Sequence, residues 1–120
     1  MRIYIKTRNP EYTIGNNVVI CSISTVLIIE YNNGMNKTLT GIKVSSKAVC
    51  HKDDKFDIAK GIKIATARAE NKYHKYYRKY IDKRKIEIKE YIDALMRVKV
   101  MNIAQINHND EYIKNLIEEN

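Results

Sequence analysis

The sequence predicts an α+β protein: an N-terminal antiparallel sheet of three to four strands, then a long C-terminal helix and a short terminal helix. Residues 1–50 are rich in Val, Ile, Thr and Tyr, which favour strands. From Ile58 to Ile106 the chain has no proline and a single glycine, Gly61, and its apolar residues recur every three or four positions. With 120 residues, 44% of them hydrophobic, we expect one folded domain, with the sheet in 1–50 and the helical part in 54–120.

The first strand is indicated by Ile3, Ile5 and Thr7, which alternate with polar residues until Asn9-Pro10 ends the run. A turn is expected at Gly15-Asn16-Asn17. Residues 18–31 then predict a long strand or a bent pair of strands.

The hairpin signal is Asn32-Asn33-Gly34, because Asn-Gly supplies the two positive φ angles of a type I′ turn. The return strand is predicted over 37–50. Gly41 or the pair Ser45-Ser46 could mark a β-bulge in it.

The long helix is expected to start after an N-cap at Asp54 and to reach Ile106. Residues 107–110, Asn-His-Asn-Asp, predict a break with a fresh N-cap and a short helix that ends near Glu118. The long helix, over residues 56–106, would measure about 75 Å, whereas a compact domain of this size has a radius of gyration of about 14 Å. It must therefore fold back near residues 82–85, or project and pack on a copy of itself; we expect a homodimer or higher homo-oligomer.

Residues 71–85 interleave four tyrosines with seven lysines and arginines, against one acid, Asp82. Phenol rings and cations together are suited to stacking a base and neutralising its phosphates. The tyrosines also have the spacing of a buried helical stripe, and the lysines could be an ordinary solvated face. If the segment binds a ligand, the candidate residues are Tyr73, Tyr76, Tyr77, Arg78, Tyr80 and Arg84, together with Arg68 from the preceding helical turn.

The sequence carries no catalytic or metal-binding signature, so we expect no enzyme, no cofactor and no metal site. The three histidines are scattered along the chain. The acidic cluster of Asp53, Asp54 and Asp57 fits helix capping better than cation binding, because it lacks the spacing and the glycine of a calcium loop. With no signal peptide and no apolar run long enough to span a bilayer, we expect a cytoplasmic protein with no membrane partner.

Residues 47–57, KAVCHKDDKFD, with Gly61, Ala65 and Arg68-Ala69 after them, resemble a pattern in small proteins of phages and prophages of Gram-positive bacteria. The strand–turn–helix layout is similar to that of the Thoeris anti-defence sponge family. This resemblance implies an oligomer without catalytic activity. Such proteins act in the infected bacterial host and capture the cyclic ADP-ribose signal of a bacterial TIR enzyme; some also hold cyclic oligonucleotides.

The leading hypothesis is therefore a phage anti-defence protein that sequesters a nucleotide immune signal, such as glycocyclic ADP-ribose, without degrading it. A net charge of +8 suits a nucleotide or a nucleic acid equally well, so a basic protein that binds DNA or RNA is the alternative. A protein inhibitor of a bacterial immune nuclease is a further alternative, against which the positive charge argues.

Overall fold

The computed structural model describes residues 1–51 and 55–119. Four antiparallel strands precede one long helix, as predicted. The elements are β1 (Arg2–Thr7), β2 (Glu11–Gly15), β3 (Val18–Glu30), β4 (Asn36–Val49) and α1 (Ile58–Glu118). The chain divides into two compact units, residues 1–79 and the part from Tyr80 onward.

The long strand β3 is the centre of the sheet. Its first half pairs with β2 and its second half with β1, so β1 and β2 follow one another along one edge of β3. The amide of Arg8 continues this ladder by donating to the carbonyl of Ser24 across the 8–10 interruption. β4 pairs along the opposite edge over the whole length of β3. Residues 18–30 thus form a single strand rather than a bent pair.

The core of the first unit lies between β3 and the start of α1. Alternate β3 residues from Val19 to Ile29 are buried, because successive side chains of a strand point to opposite faces. The helix supplies residues at every fourth position: Gly61, Ala65, Ala69, Tyr73 and Tyr77. Gly61 lies against Val19 and the Tyr77 hydroxyl bonds to Thr25, so the helix runs along β3 in the strand's own direction.

The side chains of this buried stripe increase in size from Gly61 to Tyr77, in the direction in which the helix crosses the sheet. A Cβ atom on Gly61 would lie 2.8 Å from Cγ2 of Val19, closer than a carbon–carbon contact allows. Small residues let the two backbones approach at this end, and the tyrosines fill the wider space at the other end. Tyr77 is only 2% exposed.

Two local predictions about the hairpin are wrong. Residues 31–35 join the two strands, and only Gly34 among them has a positive φ (85°). The Gly34 amide donates to the Tyr31 carbonyl, and the Tyr31 amide donates to the Met35 carbonyl. This is a turn followed by a left-handed glycine rather than a type I′ turn. The bulge falls where Leu27 and Ile28 pair with Thr40 and Thr38, which leaves Leu39 as the extra residue, instead of at Gly41 or Ser45-Ser46.

The helical half also differs from expectation at both ends. The proposed N-cap Asp54 lies outside the described residues. Asp57 caps the helix instead, since its carboxylate accepts from the Lys60 amide at 3.2 Å. Residues 107–110 continue α1, so the break and the separate terminal helix are wrong, as is a fold-back near 82–85. Asparagine is a poor but tolerated helix former, and no glycine or proline follows to stop the helix.

Candidate functional site

Two of the seven candidate residues, Tyr73 and Tyr77, belong to the core. They are 8% and 2% exposed, and their rings meet edge to face at 6.3 Å between centroids. The Tyr77 hydroxyl forms a 2.7 Å hydrogen bond with Oγ1 of Thr25, which itself donates to the Ile42 carbonyl. Such rings offer no free face to a base, so the packing interpretation applies to these two tyrosines.

Arg68 and Tyr76 attach α1 to β4. One guanidinium nitrogen of Arg68 donates to the Lys47 carbonyl at 2.9 Å. The Tyr76 hydroxyl lies 2.9 Å from Oγ1 of Thr40. Arg68 therefore has a main-chain oxygen of β4 as a hydrogen-bond partner.

The remaining candidates lie on the surface of the helix. Arg78 is exposed. In the second unit, the guanidinium of Arg84 lies 5.2 Å from the ring centroid of Tyr80, donates to its hydroxyl at 3.1 Å and pairs with Glu87 at 2.7 Å. These contacts, led by the Tyr80 hydrogen bond, raise the pKa of Arg84 above its usual value. In the first unit Arg68, Tyr76 and Tyr77 thus contact the sheet, and in the second unit Tyr80 and Arg84 contact each other.

A different cationic surface lies on the face of the sheet that points away from α1, which we call the open face. It carries the even-numbered residues of β3 and their cross-strand neighbours. Its cations are Arg2, Lys6, Lys43 and Lys47, and Arg8 lies at the interruption of the edge strand. Its acids are Glu11 and Glu30, and Glu30 pairs with Arg2 at 3.3 Å.

The open face contains a depression of about 530 Å³, a volume within the usual range of ligand pockets. Val26 and Ile28, both half-buried, form its apolar floor. Gly41 pairs with Val26 and adds no side chain to this part of the sheet. The polar lining consists of Lys6, Arg8, Ser24, Thr25 and Thr38. The hydroxyl of Thr25 bonds to Tyr77.

This lining is suited to a phosphorylated ligand. Lysine and arginine donate charge-assisted hydrogen bonds to phosphate oxygens, and hydroxyl groups can donate to the same oxygens. The depression has two cations and no acid in its lining, while an apolar floor can cover the face of a base or sugar.

A second cleft, of about 400 Å³, lies where β4 leads into α1. Its lining includes His51, Lys55, Phe56, Asp57 and Lys60. Asp57 stands beside Lys55 and Lys60 in this lining, whereas the depression on the open face has two cations and no acid in its lining. A dianionic ligand is therefore better matched by the depression on the open face.

Sequence reasoning missed the lining of the depression. The signal was present in part: Lys6 alternates with Ile5 and Thr7, and Ser24 alternates with Ile23 and Thr25, as expected of strands with one wet face. What brings these residues together is the cross-strand register, which places Lys6 opposite Val26 and Thr38 opposite Ile28.

The described residues hold no group of three or more His, Cys, Asp or Glu side chains that could bind a metal ion. Within the same residues, no helix is both long and apolar enough to cross a membrane. Comparison with known proteins gives no match: no family model, no curated protein and no solved structure is significantly similar to the chain.

Proposed function

We propose that the chain is a binding protein that captures a small phosphorylated ligand of the nucleotide class on the open face of its sheet. The observation that carries this proposal is the depression in which Lys6 and Arg8 stand beside Ser24 and Thr38 above an apolar floor. The ligand would be held and not converted, since the lining has hydrogen-bond donors but neither a general base nor a metal site.

The resemblance to the anti-defence sponge family makes the cyclic ADP-ribose signals the first ligands to test. Glycocyclic ADP-ribose carries a diphosphate for the two cations and an adenine for the apolar floor. In this proposal a phage protein removes the immune signal of the infected cell by mass action.

Isothermal titration calorimetry of the purified protein with glycocyclic ADP-ribose tests the proposal. Lys6→Ala/Arg8→Ala should weaken binding by about 100-fold, because each substitution removes a charge-assisted contact with a phosphate. Lys63→Ala/Lys75→Ala, which removes two exposed cations from α1, is the matched control and should bind like the wild type.

Heating the titrated complex should release intact ligand, identified by mass spectrometry. A hydrolysed product would contradict capture without conversion. No heat of binding with glycocyclic ADP-ribose or ADP, or an equal loss in the control, would contradict a nucleotide site in the depression.

Binding of DNA or RNA is the second candidate, favoured by the spread of cations over the open face beyond the depression. Lys43 and Lys47 lie on β4 and Arg2 and Lys6 on β1, at opposite edges of β3, as a phosphate backbone crossing the sheet would require. Affinity for a generic duplex or single strand should then fall steeply with salt. A small-ligand site should depend on salt far less.

A further inference from the structure

In the second unit, α1 carries a regular row of mostly apolar residues, which we call the seam, and nothing in the described part of the unit covers it. Over residues 92–117 the row advances by alternating steps of four and three residues, the spacing of a coiled-coil seam. Its members are Ile92, Met96, Lys99, Ile103, Ile106, Asp110, Ile113 and Ile117. The six apolar members are between 48% and 69% exposed.

The order of residues in this seam is symmetric about its midpoint between Ala104 and Gln105. Counted back from Ala104, Ile103 is one residue away, Met96 eight and Ile92 twelve. Counted forward from Gln105, Ile106 is one residue away, Ile113 eight and Ile117 twelve. The two charged members obey the same symmetry and have opposite signs. Lys99 stands five residues before Ala104, and Asp110 stands five residues after Gln105.

We propose that the seam binds a second copy of this chain in antiparallel orientation, with a two-fold axis near Ala104 and Gln105. Antiparallel pairing about this midpoint places every apolar member against an apolar member of the second copy. It also places Lys99 against Asp110 of the second copy, twice in each dimer. The pairing buries a seam about 39 Å long, or 26 residues at 1.5 Å each.

Charge complementarity selects this orientation and register. A parallel pair in register would place Lys99 beside Lys99 and Asp110 beside Asp110, so like charges would meet in both layers. Sliding the antiparallel pair by one heptad in either direction would set each charge against an isoleucine. Within the described residues neither Lys99 nor Asp110 belongs to an intramolecular ion pair, so both remain available to a second copy.

This inference does not depend on the proposed ligand, since the seam lies in the second unit and the depression in the first. The helix length predicted a homodimer, and the seam defines an interface for it. A failure of ligand binding would contradict the proposed function but not the proposed dimer.

Sedimentation equilibrium on charge-reversal variants tests the register. Lys99→Glu and Asp110→Lys should each weaken dimerisation by at least about tenfold, because each replaces two attractive pairs by two repulsive ones. The double variant Lys99→Glu/Asp110→Lys should recover to within about threefold of the wild type, by the same reasoning. Circular dichroism verifies that each variant keeps its helix.

Arg97→Glu and Glu111→Lys are matched controls with the same charge changes on the helix face away from the seam. Each directly follows a seam residue in the chain, Met96 or Asp110, at the same heptad position, and both variants should dimerise like the wild type. A monomeric wild type, single variants that dimerise normally, or a double variant as weak as the singles would overturn the proposal.

Distances between spin labels test the orientation separately. Labels attached through an unnatural amino acid at Ala104 should lie close together in the dimer, since that site adjoins the two-fold axis. Labels at Glu90 should be separated by at least about 40 Å along the axis. Equal short distances at the two sites would show parallel helices and overturn the proposal.

Discussion

The Tyr77 hydroxyl shows how a single side chain decides between packing and recognition. It is buried beside Thr25 and completes a hydrogen-bond chain that ends at the Ile42 carbonyl. A buried hydroxyl with a partner is a stabilising group, and its ring is enclosed by the sheet. The aromatic stretch that looked like a stacking surface is therefore, in part, the core of the first unit.

Tyr77→Ala should lower the free energy of unfolding by about 3–5 kcal/mol, because it leaves a large cavity. Tyr77→Phe should cost about 1 kcal/mol, since Thr25 keeps its bond to the Ile42 carbonyl. Urea denaturation measures both. Tyr76→Phe, which removes a hydroxyl from a half-buried ring, is the control and should cost less than Tyr77→Phe; the reverse order would contradict the assignment of Tyr77 to the core.

Tyr73 should make the protein less stable at alkaline pH. Burial, with smaller contributions from Glu70 and Tyr77, raises the pKa of the Tyr73 phenol above its usual 10.0. The folded state therefore favours the protonated phenol, so this contribution to stability is complete below about pH 10 and is lost as the pH rises through the folded-state pKa. The urea concentration at the midpoint of unfolding should decrease as the pH is raised above about 10, and Tyr73→Phe should make this decrease smaller. An unchanged pH dependence in this variant would contradict the prediction.

At the scale of elements, the alternation of the strands and the period of the helix were sufficient to predict the sheet and α1. The misplaced details have local causes. The Asn-Gly pair fits two kinds of hairpin loop, and the bulge at Leu39 depends on cross-strand pairing rather than on the residue type. The helix passes through residues 107–110 because no residue there forbids helical backbone, despite their capping propensity.

The candidate site was less predictable than the elements, for a physical reason. Lys6 and Thr38 are 32 positions apart in the chain, and only the register on either side of β3 brings them to one depression. The basic stretch of 71–85 was conspicuous because its residues are contiguous. Contiguity on a helix distributes side chains around the axis, so part of the stretch faces the core and part faces solvent.

The contact of α1 with β3 at Gly61 should respond strongly to one methyl group. Gly61→Ala raises helix propensity by about 1 kcal/mol, but its Cβ would lie 2.8 Å from Val19. We expect a net loss of about 1–2 kcal/mol, because overpacking outweighs propensity. Chemical denaturation measures the change in the free energy of unfolding.

A double-variant cycle separates the two effects at Gly61. In a Val19→Ala background the clash is relieved, so Gly61→Ala should be neutral or stabilising. Ala67→Gly at an exposed position of α1 is the control for propensity alone and should cost about 1 kcal/mol. A destabilisation by Gly61→Ala of equal size in both backgrounds would show that Val19 is not the cause.

At the scale of the whole molecule, the two units have different chemistry. The first buries its helix against a sheet and keeps a cationic, hydroxyl-bearing face in solvent. The second exposes the seam of residues 92–117, whose length and symmetry fit a second copy of the chain. If both proposals hold, the first unit binds the ligand and the second assembles the protein.

Self-association should make thermal stability depend on concentration. If α1 pairs through residues 92–117, the melting temperature should rise with protein concentration, because dimerisation favours the folded helix by mass action. Ile103→Asp/Ile106→Asp should abolish this dependence, while Arg97→Glu should keep it. A melting temperature that stays constant over a wide concentration range in the wild type would contradict pairing.

An amide chemical-shift titration of the wild-type protein with glycocyclic ADP-ribose tests the ligand site most directly. We expect saturable shifts centred on Lys6, Arg8, Ser24 and Thr38, and no comparable shifts at Lys55 or Lys60 in the second cleft. Shifts centred on that cleft or on residues 76–84, or no shifts at saturating ligand, would contradict the proposed ligand site.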